Sequence, residues 1–182
     1  MEGQFKQLLG NFPRPGRIEW ISIRPVRNEP VKTVTEVEVS EKNGLVGDHY
    51  SGRSGNRHVT LIQAEHLPGV AAMTGHDVLD PGLLRRNMVV SGLNLLALKE
   101  QTIQIGESVI LEITGQCHPC SRMETNLGPG GYNAMRGHGG MTARVVRGGW
   151  IRLGDAVLVL PGDPVGDPVV KKPDDTSNSQ VV

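Results

Sequence analysis

Glycine occupies 24 of the 182 positions, about twice its average usage, beside 12 prolines and only six aromatic residues. Inside a helix each glycine costs about 1 kcal/mol relative to alanine, so such a chain favours strands joined by tight turns. The residue pattern agrees. "RIEWISIRP" sets Ile18, Trp20 and Ser22 against Glu19, Ile21 and Ile23, and "VKTVTEVEVS" sets Val31, Thr33, Thr35, Val37 and Val39 against Lys32, Glu36 and Glu38. Further β-rich runs are "RHVTLI", "RRNMVVSG", "QTIQIGESVILEITG", "TARVVRGG" and "WIRLGDAVLVL". Two stretches, "IQIGESVILEI" and "IRLGDAVLVL", each read as a strand, a glycine turn at Gly106 or Gly154, and a second strand. A mainly β barrel or sandwich follows, with short helices at "QAEHLPGVAAMTG", at "DPGLLRR" and just after Cys120.

The length suits one domain. Residues 1–15 read as a lead-in, 16–160 as the domain, and 161–182, rich in Pro, Asp and Ser, as a flexible tail. Nineteen basic residues balance nineteen acidic ones, so no global field draws the protein to nucleic acid or to an acidic membrane surface. No window approaches the roughly 18 apolar residues of a membrane span, and the start lacks the apolar run of a signal peptide. The expectation is a soluble, cytoplasmic protein whose two cysteines are normally free.

Those cysteines share one segment, "GQCHPCSRMETNLG", at C-x-x-C spacing. Three chemistries fit two intervening residues: a dithiol redox couple, half of a zinc site, or one reactive sulfur with a bystander. A thioredoxin-like couple needs a long helix to follow, whereas "GPGGYN" arrives within eight residues. Structural zinc needs about four ligands, leaving only scattered histidines such as His49, His118 and His138 to complete it. For the third reading, Ser121 and Glu124 form an S-x-x-E capping box, which starts a helix beside Cys120 with Arg122 close by. A positive helix end and a cation favour the thiolate, the form that binds soft metals or accepts a transferred sulfur. Against it stands the usual fate of a cysteine, inert burial.

Glycine-bearing segments carry Arg53, Arg57, Arg85, Arg86, Arg136 and Arg144. Glycine lets backbone N–H groups close around an anion, and guanidinium forks bind phosphate, so these loops suit a phosphate-bearing ligand. They match neither the Walker loop nor the dinucleotide fingerprint. Each arginine taken singly also reads as a solvated surface charge.

"GLVGDHY", "RHVTLIQAEHL", "RRNMVVSGLNL" and above all "CHPCSRMETNLGPGGYNAMRGHGGMTARVVRGGWIRLGDAV" resemble the MOSC domain family, named for the C-terminal domain of molybdenum-cofactor sulfurases, and in particular its stand-alone bacterial members. The resemblance runs from about Gly16 to Leu160. It implies a strand-rich, barrel-like fold and molybdenum-cofactor (molybdopterin) binding or sulfur transfer through one cysteine, which maps onto Cys120 in "HPCSRM". Cys117 falls where the family pattern does not demand cysteine.

On that resemblance Cys120 is the expected molybdenum ligand and catalytic residue, and Arg57, Arg86, Asn87, Arg122 and Arg144 are the expected cofactor contacts. The implied activity is an oxidoreductase that reduces small N-hydroxylated compounds, with electrons from a separate reductase. The alternative is a sulfur carrier or cofactor-handling module with a persulfide on Cys120. A role in binding or storing the cofactor is a third.

Overall fold

The computed structural model describes residues 7–50 and 54–161; the expected tail lies outside them except for Pro161. Eleven strands dominate: β1 Gly16–Ile23, β2 Lys32–Val34, β3 Glu36–Ser40, β4 Gly44–Leu45, β5 Val59–Gln63, β6 Met88–Ser91, β7 Thr102–Ile105, β8 Val109–Gln116, β9 Met141–Arg147, β10 Gly149–Arg152 and β11 Ala156–Val159. Among the described residues four short helices lie between the strands, α1 His66–Thr74, α2 Pro81–Leu84, α3 Arg122–Leu127 and α4 Gly131–Ala134, with a 3-10 turn at Leu95–Leu98.

Seven strands close a barrel in the order β1, β11, β7, β8, β9, β5, β6, because β1 pairs both β6 and β11. Closure removes the open edges that a sheet must otherwise protect. Strand β2 hangs on β1, and β10, β3 and β4 make a separate small sheet. All pairings are antiparallel except β5 with β6, whose parallel register requires a crossover, supplied by α1 and α2. Bulges in β1 against β6 and in β8 against β9 bend the strands that must curve to close.

Two apolar clusters result. The barrel interior holds Ile18, Leu61, Ile103, Ile105, Leu111, Ile113, Ala143 and Val157. Outside, Ile62 and Val89 meet Val70, Leu84, Met123, Leu127 and Met135 of the helical layer. Strand β5 is therefore buried on both faces, which is why "VTLIQ" reads as a continuous apolar run rather than an alternating one.

Local chemistry sets the helix ends. Asp80 accepts a hydrogen bond from the Gly82 N–H at 2.8 Å and Pro81 opens α2. Gly75, at φ +73°, closes α1. The helix after Cys120 forms, but without the expected capping box. The Ser121 side chain makes no cap bond, and the Glu124 carboxylate instead accepts from the Gly130 and Tyr132 N–H groups at 2.7 and 3.0 Å. These two donors hold Glu124 below the usual carboxylate range. Glu124 thus satisfies the first N–H groups of α4 rather than those of its own helix.

Two strand expectations need correction. "VKTVTEVEVS" is not one strand. The chain changes sheets at Thr35, since Val34 pairs with Ile21 of β1 whereas Glu36 pairs with Arg152 of β10. The paired glycine turns also differ. Gly106 closes a true hairpin, with Ile105 opposite Val109, but the strands flanking Gly154 do not pair with each other: β10 pairs β3, and β11 pairs β7 and β1. Gly154 instead carries the chain from the small sheet to the barrel, its N–H donating to the Ile18 carbonyl at 2.8 Å.

Candidate functional site

The loops beyond β1, β4 and β8, the approach to β5, and the α2–β6 junction converge on one cavity of about 380 Å³. It is lined by Arg24, Arg27, Arg57, Arg85, Arg86 and Arg122, with His49, Tyr50, His118 and both cysteines, and no carboxylate lines it among the described residues. Arg24 is paired with Asp48 behind the wall, and the other five guanidinium groups around the space favour an anion, because each cation raises the others' energy until a negative charge enters.

Arg86 is the most deeply set, at 7% exposure. Its Nε donates to the Gly139 carbonyl at 2.7 Å and its Nη1 to the Leu84 carbonyl at 2.8 Å, while Nη2 is buried without a partner. Burial pulls this guanidinium below its usual range, and the Cys117 and Cys120 sulfurs act in the opposite sense. Arginine does not release its proton in proteins, so an unpaired buried N–H remains as a cost of about 1–3 kcal/mol that an anion would offset. Arg85 stands beside it in the left-handed region, at φ +56°, and its Nη1 donates to the Glu29 carbonyl at 2.5 Å. This conformation ends α2 and delivers two consecutive arginines to the cavity wall.

Behind the wall lies a buried polar network. Asp48, 1% exposed at its side chain, accepts from Arg24 Nε at 3.0 Å and Nη2 at 3.3 Å, from the Arg24 and Tyr50 N–H groups, and from Asn87 Nδ2 at 2.8 Å. Burial alone would raise this carboxyl; the Arg24 ion pair and the other donors outweigh it and hold Asp48 below the usual range. Asn87 is fully buried, and its Oδ1 accepts from the Thr60 N–H and hydroxyl at 3.0 and 2.8 Å. The network fixes the direction in which Arg24 enters the cavity.

The two sulfurs differ. Cys120 is exposed and Cys117 is buried, yet both line the cavity. Arg57 Nη2 donates to Cys117 Sγ at 3.8 Å. Arg122, whose guanidinium bonds the Asn28 Oδ1, also faces this space.

The structure thus gathers Cys120, Arg57, Arg86 and Arg122 of the expected site residues, and it separates two others. Asn87 braces Asp48 and Arg24 from behind rather than lining the cavity. Arg144 lies outside it, because β9 places it opposite Glu112 on β8, where the two side chains pair at 2.5 Å. Arg136 is exposed and outside the cavity, and Arg53 falls outside the described residues. His49 and His118 line the cavity, whereas His138 stacks edge-on against His66. No group of three or more metal-ligating side chains exists among the described residues.

Arg24, Arg27 and Asp48 escaped the sequence reading. The arginine search followed glycine loops, whereas "RPVRNEP" is a proline-flanked turn. A lone Asp48 in "GLVGDHY" gives no sign of a partner 24 residues earlier.

Comparison with known proteins agrees with this architecture. A family model for the MOSC domain matches residues 25–158. Among solved structures, the YuaD protein of Bacillus subtilis superposes with a TM-score of 0.70 at 20% identity, over 79% of this chain and 94% of that one. YiiM from Geobacillus stearothermophilus gives 0.67 at 17% identity, over 81% and 76%, and YiiM from Escherichia coli gives 0.62 at 17%, over 83% and 72%. No curated protein matches in sequence. The chain belongs to the MOSC domain family, which is linked to molybdenum-cofactor binding.

Proposed function

We propose that the cavity binds the molybdenum cofactor, with Cys120 as the protein thiolate on the metal, and that the protein reduces small N-hydroxylated compounds with electrons from a separate reductase. One observation carries the reading: an exposed thiol and six guanidinium groups share one cavity that no carboxylate lines among the described residues. The donor set fits the group. A soft sulfur suits molybdenum, and the unpartnered Arg86 Nη2 suits the phosphate of the pterin.

When bound, the cofactor supplies a metal centre that exchanges two electrons and an oxo group. The chain's own part is to hold and orient. Arg57, Arg86 and Arg122 would hold the anionic part of the group, Arg24 is aimed by Asp48, and Cys120 would supply the thiolate to the metal. His49 and His118 also line the cavity, where a ring nitrogen can pass the proton that N–O reduction consumes.

A second reading is favoured by the exposure of Cys120: a persulfide on its sulfur, handed to a metal centre elsewhere. The test is steady-state reduction of an amidoxime by protein from a cofactor-competent host, with a reduced viologen as donor, beside the intact mass of metal-free protein. Turnover that needs bound molybdenum supports the first reading. One extra sulfur on metal-free protein, with no turnover, overturns it in favour of the second.

A further inference from the structure

Cys117 has no part in the cofactor chemistry above, and burial alone does not describe its setting. It is 4% exposed yet belongs to neither apolar cluster. Its sulfur instead receives the Arg57 Nη2 at 3.8 Å and shares the cavity with Cys120. The two ends of the C-x-x-C segment are also held differently. The Cys117 N–H donates to the Gly140 carbonyl at 2.8 Å, and Gly139 approaches so closely that a Cβ there would lie 2.0 Å from the Cys117 carbonyl oxygen. Cys117 is pinned. Cys120 sits in an exposed turn, tied forward by the Met123 N–H donating to its carbonyl at 2.9 Å and uncapped by Ser121.

From this asymmetry we infer that Cys117 is the resolving thiol of Cys120: a peroxide closes the pair into an intrachain disulfide, which protects the working sulfur from irreversible oxidation and is reopened by an external thiol. The accessible sulfur reacts first. The Cys120 thiolate attacks one peroxide oxygen, the O–O bond breaks, and the departing hydroxide takes a proton to become water, leaving a sulfenic acid. Cys117 sulfur then attacks Cys120 sulfur; the S–O bond breaks and hydroxide leaves with the Cys117 proton as a second water. Two thiols lose two electrons and the peroxide gains them. Arg57 stabilises the Cys117 sulfur as it becomes anionic for the second step. The inference uses the place of Cys120 in the cavity but not the cofactor.

The test treats full-length, metal-free protein with hydrogen peroxide, quenches with a maleimide under denaturing conditions, and reads the intact mass. Wild type should lose two hydrogens, take up no maleimide, and regain both thiols with dithiothreitol. Cys117→Ser should add two oxygens as a sulfinic acid that dithiothreitol does not remove, at least about tenfold faster than wild type. Cys120→Ser should keep Cys117 open to the maleimide over the same time. In Arg57→Ala, which leaves both thiols in place, the sulfenic acid should persist long enough to be trapped by dimedone. Equal sulfinic acid formation in wild type and Cys117→Ser, or disulfides only between chains, would overturn the inference. Because metal plays no part in the assay, a failure of the cofactor reading leaves this outcome unaffected.

Discussion

Replacing Asp48 by Asn tests whether the buried ion-pair network that orients Arg24 also stabilises the fold. The two Asp48 oxygens accept five hydrogen bonds from Arg24, Tyr50 and Asn87. An amide nitrogen at either position turns some of these into opposed donors. Removing one member of a buried ion pair costs about 3–5 kcal/mol, and because Arg24 keeps 15% side-chain exposure the lower end applies. At about 2–4 °C per kcal/mol for a chain of this size, Asp48→Asn should melt roughly 6–12 °C below wild type near neutral pH. The pH dependence has a definite sign. Asp48 is held below its ordinary value, so its stabilisation is complete above the unfolded carboxyl range near ~3.9 and is lost as pH falls through the lower folded value. The gap between mutant and wild type should therefore be constant from neutral pH down to about 5 and close below about 4. Urea titrations across that range are the assay. A mutant within about 1 kcal/mol of wild type at pH 7, or a gap that widens in acid, would refute the network as described.

Four further outcomes follow from the geometry. Arg144→Ala should leave bound cofactor unchanged and stability within about 1 kcal/mol, since its pair with Glu112 is a surface contact, whereas Arg86→Gln should lose cofactor as measured by pterin fluorescence after release. Gly140→Ala should destabilise the chain by at least about 2 kcal/mol in a denaturant melt, because φ is +83° and the new Cβ would lie 1.9 Å from the Leu61 carbonyl oxygen. Truncation after Pro161 should hardly move the melting temperature, since β11 ends at Val159 and the bond from the Leu160 N–H to the Thr102 carbonyl is retained.

Much of the fold was legible because alternation and glycine placement are local signals. β1, β5, β7 and β8 lie where their patterns put them, as do the helices at His66 and Pro81. The partners of each strand were not legible. Thr35 continues the period-2 pattern on both sides, and nothing local tells the chain to leave β1 for β10 there. Gly106 and Gly154 sit in like sequences, yet only Gly106 closes a hairpin; the difference is made by Ile18 on β1, the strand that pairs with β11, whose carbonyl accepts from the Gly154 N–H. At the site, residue type identified Arg86 and Cys120, but register decided Arg144, which pairing with β8 carried to Glu112. Arg24 and Asp48 become a unit only when the β1 end meets the segment after β4. Local signals name candidates, and non-local pairing selects among them.

The most direct measurement is molybdenum per chain, by elemental analysis, in wild type and Cys120→Ser prepared side by side from a cofactor-competent host. A cavity that holds the cofactor through Cys120 gives about one atom per chain in wild type and a loss of at least about tenfold in Cys120→Ser, with the two proteins melting at similar temperatures. Equal molybdenum in both, or none in either, contradicts it.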